Sequence, residues 1–256
     1  VMDGIPIFNL VRETMPAVTI RGFRGVINST TNHLLSALER GDDFGAALAR
    51  IHATPPPQGL ETVDAGATLG NYEATWRASG AVRPAIEAAF RWLERRLPAE
   101  PVAPRLVHGD FRNGNLMIDP AHGLAAVLDW ELAHLGDPAE DLGWICTNSW
   151  RFGQPQRRVG GFGDLDDLLA GYVEAGGAPI APERVDFWQM VGSLKWGVMT
   201  TMMYARFAAD PTAGPERAVI GRRLSETEAD IVAIVQKEIT QKRVAVRRNA
   251  SASRPP

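Results

Sequence analysis

Apolar residues recur along most of this chain at helical spacing, and the pattern breaks near the middle into short β-like runs. Phe44, Leu48 and Ile51 stand at i, i+4 and i+7 behind Asp42-Asp43, which predicts a short helix closed by Pro55-Pro56-Pro57. Residues 58–70 read as loop. Tyr72 and Trp76, then Ile86, Phe90, Leu93 and Leu97, predict two further helical segments, the second stopped by Pro98, Pro101 and Pro104. There the period changes. Leu106-Val107 is a short β run; Leu116-Met117-Ile118 and Ala125-Ala126-Val127-Leu128 are two more, joined by the turn composition Asp119-Pro120-Ala121-His122-Gly123. Beyond Asp129 the chain reads as helical again: Ala139–Ser149, Leu165–Ala175, Pro182–Ala208 and Pro215–Gln241, with an Arg/Gly-rich loop over 151–163. The last helix aligns Ile220, Leu224, Ile231, Val235 and Ile239 on one face. No internal repeat is present. The predicted class is α+β, mostly α, with one small β-hairpin sheet near the centre.

That hairpin decides where the chemistry lies. Asn115 starts its first strand and Asp129 ends its second, so both side chains come to one end of the sheet, facing the loop that holds Asp110. Transfer of a phosphoryl group to an alcohol needs a group to accept or orient the hydroxyl proton, oxygen ligands for Mg²⁺, and cations on the phosphates. Asp110 suits the first role. Asn115 and Asp129 suit the second, because Mg²⁺ prefers hard oxygens and takes few of them from protein. Arg112, two residues past Asp110, has the spacing to reach the transferred phosphate. A single Asp or Asn in a loop is ordinarily a turn residue. His108-Gly109-Asp110, an Asn five residues later, a hairpin-length gap and then Asp129-Trp130-Glu131 form a far more specific set.

Composition narrows the classes. Hydrophobic residues make up 45% and charged residues 22%, as in a globular protein with a real core. The net charge of -3 argues against nucleic acid as a partner. The most apolar helical run, Trp196 to Ala209, is too short and too polar to span a bilayer. Cys146 is the sole cysteine, which excludes an internal disulfide and suits a reducing cytoplasm. Lys242, Arg243, Arg247, Arg248 and Arg254 stand without an acid in residues 242–256, which read as a disordered basic tail behind a domain over 1–241.

The segment from Leu106 to Trp150 resembles the aminoglycoside phosphotransferase-like family of kinase-fold enzymes. His108 to Asn115 matches its His-Gly-Asp-x-x-x-x-Asn loop, Asp129 its magnesium-binding Asp, and Gly136-Asp137-Pro138-Ala139-Glu140-Asp141-Leu142 its Gly-Asp-Pro-x-x-Asp-Leu segment. Ala49-Arg50-Ile51-His52-Ala53 resembles the helix after the interlobe linker. Val1 to Pro6 resembles the linker itself, whose backbone at Met2 and Asp3 would meet adenine. Arg151-Phe152-Gly153 and Trp196-Gly197 resemble a subgroup fused to, or encoded beside, acyl-CoA dehydrogenases.

The resemblance implies a protein-kinase-like C-terminal lobe that uses ATP and Mg²⁺ to phosphorylate a small-molecule hydroxyl, sugar-like or, in this subgroup, a hydroxyacyl or hydroxy acid. It implies too that an N-terminal lobe, with the phosphate-covering loop and its Lys, would precede Val1, so the chain alone is expected to be a weak or inactive kinase. Gly160-Gly161-Phe162-Gly163 lacks the preceding strand and the Lys of such a loop and reads as a flexible loop.

Among the remaining candidates, Glu131, Trp150 and Trp196 are placed near the acceptor, the two tryptophans as pocket walls. His108 is expected to hold the loop through its ring nitrogens. Asp137 before Pro138 reads as a helix N-cap, and Asp141 as a first-turn acid favoured by the helix dipole, rather than as substrate ligands. The competing functions are a non-catalytic lobe acting as a scaffold and a two-metal phosphoesterase; the second lacks the His ligands and bridging carboxylates such sites use.

Overall fold

The computed structural model describes residues 44–100, 102–119, 123–210, 212 and 214–252. The linker assignment at Val1 to Pro6, with Met2 and Asp3, lies outside the described residues. The helices are α1 (Phe44–Ala53), α2 (Ala65–Ala78), α3 (Pro84–Glu94), α4 (Ala139–Ile145), α5 (Leu165–Glu174), α6 (Pro182–Ala209), α7 (Pro215–Gly221) and α8 (Leu224–Ala252). The strands are β1 (Arg105–Val107), β2 (Leu116–Asp119), β3 (Gly123–Val127) and β4 (His134–Gly136), with single 3₁₀ turns at Asn113–Asn115 and Asn148–Trp150.

Local chemistry accounts for most helix starts. Asp64 Oδ1 accepts from the Ala67 N–H at 2.7 Å and so caps α2, while Pro84, Pro182 and Pro215 open α3, α6 and α7, where a missing N–H costs nothing. The predicted hairpin is β2–β3, antiparallel, with Leu116 opposite Val127 and a register shift between Met117 and Ile118. The other strand run has a partner that the sequence pattern did not announce. Leu106 pairs with Leu135 of β4, inside a stretch expected to be helical, so two separate two-stranded sheets replace the single one. Residues 61–63, read as plain loop, brace the outer side of β4: Leu135 N–H donates to Glu61 O and Val63 N–H to Leu135 O, each at 2.8 Å.

Two apolar clusters sandwich the site. One joins Phe44 and Leu48 of α1, Leu142 and Ile145 of α4, Leu168 and Tyr172 of α5, and Phe111 from the His108–Asn115 segment. The other joins Trp76, Ile86, Phe90 and Leu93 to Trp188, Met190 and Leu194 of α6 and to Leu224 and Ile231 of α8. Helix α6 is the spine, packed on α2, α3, α4, α7 and α8. It meets α4 closely because Gly143 has no side chain: a Cβ there would lie 2.4 Å from that of Trp188.

Three expectations are corrected. The long C-terminal helix is two helices, broken at Arg222-Arg223, so Ile220 sits on α7 and Ile239 of α8 is 46% exposed. Helix α8 continues past Gln241 to Ala252, where a disordered tail was expected; it has neither Gly nor Pro to stop it, and is pinned upstream by Glu238 to Arg96 and Trp92. Gly160 to Gly163 is packed, with Phe162 6% exposed in the core and Gly160 O accepting from Asn113 Nδ2 at 2.8 Å.

Candidate active site

Asp110 lies between β1 and the first 3₁₀ turn, and four side-chain N–H interactions converge on its carboxylate. Oδ1 accepts from Trp144 Nε1 at 2.7 Å and from Arg112 Nε at 3.2 Å; Oδ2 accepts from Asn115 Nδ2 at 2.7 Å and from Arg112 Nε at 3.3 Å. Arg112 spans two neighbours, since its guanidinium also lies over the Trp150 ring, 4.8 Å from the centroid. The sequence pattern assigns Asn115 to a cation and Arg112 to the phosphate, not to Asp110 as partners, and does not single out Trp144.

The loop is held from beneath by a buried carboxylate. Asp141 Oδ2 accepts from the His108 N–H at 2.8 Å and Oδ1 from the Gly109 N–H at 2.9 Å. Its Oδ2 also meets His52 Nε2 at 3.2 Å, and His52 Nδ1 meets the Tyr172 hydroxyl at 2.8 Å. Burial opposes ionisation of Asp141, but the His52 ring and the backbone N–H of His108 outweigh it and hold the carboxyl below the usual aspartate range. The expected structural role stands, by a different route from helix-dipole compensation. Asp137 likewise caps α4 from one position earlier than expected, since Pro138 is the cap residue: its Oδ1 accepts from the Ala139 N–H at 3.0 Å, and its Oδ2 from Arg184 Nε and Trp188 Nε1, both at 2.6 Å.

His108 ties the loop to the hairpin. The Asp110 N–H donates to its Nδ1 at 3.1 Å, which leaves Nε2 to donate to Leu128 O at 2.9 Å, so the ring is the Nε2–H tautomer. The same Leu128 donates its N–H to Asn115 O at 2.7 Å, extending the ladder one step beyond β2 and β3. Asn115 and Asp129 therefore stand at one end of the hairpin, as the sequence predicts. Asp129 is exposed, has φ of +66°, and makes no hydrogen bond or ion pair among the described residues. Glu131 is exposed on the turn that follows.

Trp150 is buried rather than an open pocket wall, while Trp196 is half-buried. Trp150 is 2% exposed, and its ring lies 5.1 Å from that of Trp144 and 4.9 Å from that of Trp196. Cations interleave this row: Arg112 on Trp150, Lys195 on Trp144 and Arg223 on Trp196. Above Asp110, burial pushes the Tyr72 hydroxyl of α2 well above its ordinary range, and the charges of Glu140 and Asp110 push the same way. A cavity of about 600 Å³ opens elsewhere, lined by Trp92, Arg96, Arg151, Arg158, Asp186 and Lys237, with no wall from the His108–Asn115 segment.

Sequence pattern alone missed Trp144 and Lys195. The available signal was a lone charge in an apolar stretch: Lys195 interrupts Met190-Val191-Gly192-Ser193-Leu194 and Trp196-Gly197-Val198.

Human acyl-CoA dehydrogenase family member 11 is 28% identical over 160 residues, covering 60% of this chain and 19% of that protein. Mouse acyl-CoA dehydrogenase family member 10 is 47% identical over 64 residues, covering 25% of this chain and 6% of that protein. This chain thus spans less than a fifth of each of these two relatives. Among solved structures, a choline/ethanolamine kinase family protein from Mesorhizobium loti superposes with a TM-score of 0.55 at 17% identity, over 84% of this chain and 71% of that one. An aminoglycoside 2'-phosphotransferase-IIIa in its GDP complex gives 0.55 at 13%, over 83% and 68%. Likeness at such identities establishes the kinase-like fold. The phosphotransferase enzyme family matches residues 10–188, and on that match the chain belongs to the phosphotransferase enzyme family.

Proposed function

We propose that this chain carries the acceptor-binding and magnesium-binding half of an ATP-dependent small-molecule kinase. The observation that supports it most is the convergence of Asn115, Arg112 and Trp144 on Asp110, with Asn115 and Asp129 at one end of the hairpin. In this reading Asp110 accepts a hydrogen bond from the substrate hydroxyl and takes its proton as the oxygen attacks the γ-phosphorus. Its four N–H interactions keep the carboxylate aimed. Arg112 meets the charge that develops on the phosphoryl oxygens.

The donor set fits Mg²⁺. The Asn115 amide nitrogen is committed to Asp110, which leaves its oxygen for a cation, and Asp129 is an exposed carboxylate with no competing partner among the described residues. Two hard oxygens from protein are what Mg²⁺ bound to ATP ordinarily takes. No cluster of three His, Cys, Asp or Glu exists among the described residues, which disfavours the two-metal phosphoesterase reading. Held by Asn115 and Asp129, Mg²⁺ would offset the charge of the nucleotide phosphates. Met117, 50% exposed on β2 beside Asn115, offers an apolar surface for the adenine. No Gly-rich loop followed by a strand Lys occurs among the described residues.

For the acceptor, the cation Arg112 beside Asp110 supports a hydroxy acid or hydroxyacyl compound over a polycationic sugar. No helix of the described residues is long and apolar enough to cross a membrane.

The test is phosphate transfer from γ-labelled ATP to a panel of hydroxy acids, sugars and amino alcohols. It is run with this chain and with the chain extended through its upstream coding sequence. Transfer that requires Mg²⁺ and falls at least ~100-fold in Asp110→Asn is expected; transfer indifferent to Asp110 in the extended protein would favour a scaffold.

A further inference from the structure

Gly109, the residue before Asp110, is gripped from both sides by buried charge. Its N–H donates to Asp141 Oδ1 at 2.9 Å, and its carbonyl accepts from Lys195 Nζ at 2.6 Å. The grip acts on backbone in the left-handed region: φ is +77°, and a Cβ there would lie 2.6 Å from Leu132 O. Lys195 has a second contact. Its ammonium sits 4.3 Å from the centroid of the Trp144 ring, and that same indole donates its N–H to Asp110.

Lys195 is 6% exposed in the middle of α6, and no carboxylate among the described residues forms an ion pair with it. An ammonium taken out of water without a counter-ion is disfavoured, and a Met would fill the same space without that penalty. What the charge does accomplish is local. It fixes the carbonyl one residue before Asp110, and by drawing on the indole face it makes the Trp144 N–H a stronger donor to Oδ1.

We infer that Lys195 is a positioning residue for Asp110, acting through the Gly109 carbonyl on one side and the Trp144 indole on the other. This rests on reading Asp110 as the group that receives the acceptor's proton. Lys195 touches neither acceptor nor nucleotide in this role, so its loss acts on turnover rather than on nucleotide affinity.

The experiment uses the extended protein and four variants: Lys195→Met, Lys195→Arg, Trp144→Phe and the double Lys195→Met/Trp144→Phe. Lys195→Met is expected to lower kcat about 10- to 100-fold, the scale of a small misplacement of a reacting group, with KM for ATP within about twofold. Trp144→Phe keeps the ring and the cation but removes the donor, and its kcat falls as well. Because the two act along one route, the double variant is expected to lose little more than the worse single. Lys195→Arg keeps the charge and recovers part of the loss.

A readout independent of turnover is the indole N–H spectrum. The resonance missing in Trp144→Phe is that of Trp144, and it is expected to move in Lys195→Met and in Asp110→Asn and to return toward its native position in Lys195→Arg. A Trp144 resonance unmoved by Lys195→Met overturns the inference, as do losses that multiply in the double variant. If Lys195→Met does not fold, Trp144→Phe decides: native kcat in that variant overturns the inference. Unchanged transfer in Asp110→Asn overturns the functional reading instead, and the resonance still reports what Lys195 does.

Discussion

Asp110 and Asp129, the two candidate carboxylates, are built in opposite ways. Asp110 is held by Trp144, Arg112 and Asn115, and its loop is anchored from below by Asp141 and Lys195. Asp129 is exposed, has no bonded partner among the described residues, and sits at φ +66°. One carboxylate is pre-organised by the chain's own side chains; the other is held in an unfavourable backbone conformation with its charge unspent. The difference teaches that this fold finishes the Asp110 side, which we propose accepts the proton, and leaves the Asp129 side, which we propose holds the cation, without side-chain support.

Neutralising either carboxylate attacks turnover with the largest effect: Asp110→Asn and Asp129→Asn are each expected to lower kcat by about 10²- to 10⁴-fold in a transfer assay. The next experiment separates the two halves by stability. Asp141→Ala removes the anchor of the finished half and leaves His52 and two backbone N–H groups unpaired, for an expected loss of ~3–5 kcal/mol in chemical denaturation. Because the Asp141 carboxyl is held below its ordinary value, its contribution is complete above an unfolded pKa near ~4 and disappears as pH falls through the lower folded value. The acid limb of the stability profile should therefore flatten in this variant.

Asp129→Gly should do the reverse on the unfinished half, raising stability by about 1 kcal/mol through relief of the positive φ while abolishing Mg²⁺-dependent transfer. A loss of stability there would break the contrast. The smallest effect belongs to Cys146, beneath the finished half, where burial pushes the thiol up to about 11. Alkylation at pH 8 should be negligible in the native protein and appear only in denaturant.

The sequence made the site's local parts legible and hid its long-range ones. Asp110, Asn115 and Asp129 were readable because a hairpin with a recognisable turn brings them together within twenty residues. Trp144 lies 34 positions from Asp110 and Lys195 lies 86 from Gly109, so no window of sequence contains either pair. Strand β4 escaped because three residues, one His and one Gly among them, carry no period. The break at Arg222-Arg223 escaped for the opposite reason: both residues are good helix formers, and only packing of α7 on α6 turns the chain there. The basic composition after Gln241 looked like a tail, while the absence of Gly and Pro up to Ala252 was the better guide.

The β2–β3 hairpin has one further consequence. Two strands alone are marginal in water, and this pair has no third strand among the described residues, with Met117 half exposed on its surface. Its amides should therefore exchange with solvent by local opening, well before the protein unfolds as a whole. Any cation held between Asn115 and Asp129 closes that hairpin at its open end, so part of its binding free energy would be spent on slowing this breathing. Amide protection along Leu116–Val127 becomes a gauge of site occupancy that needs no chemistry to occur.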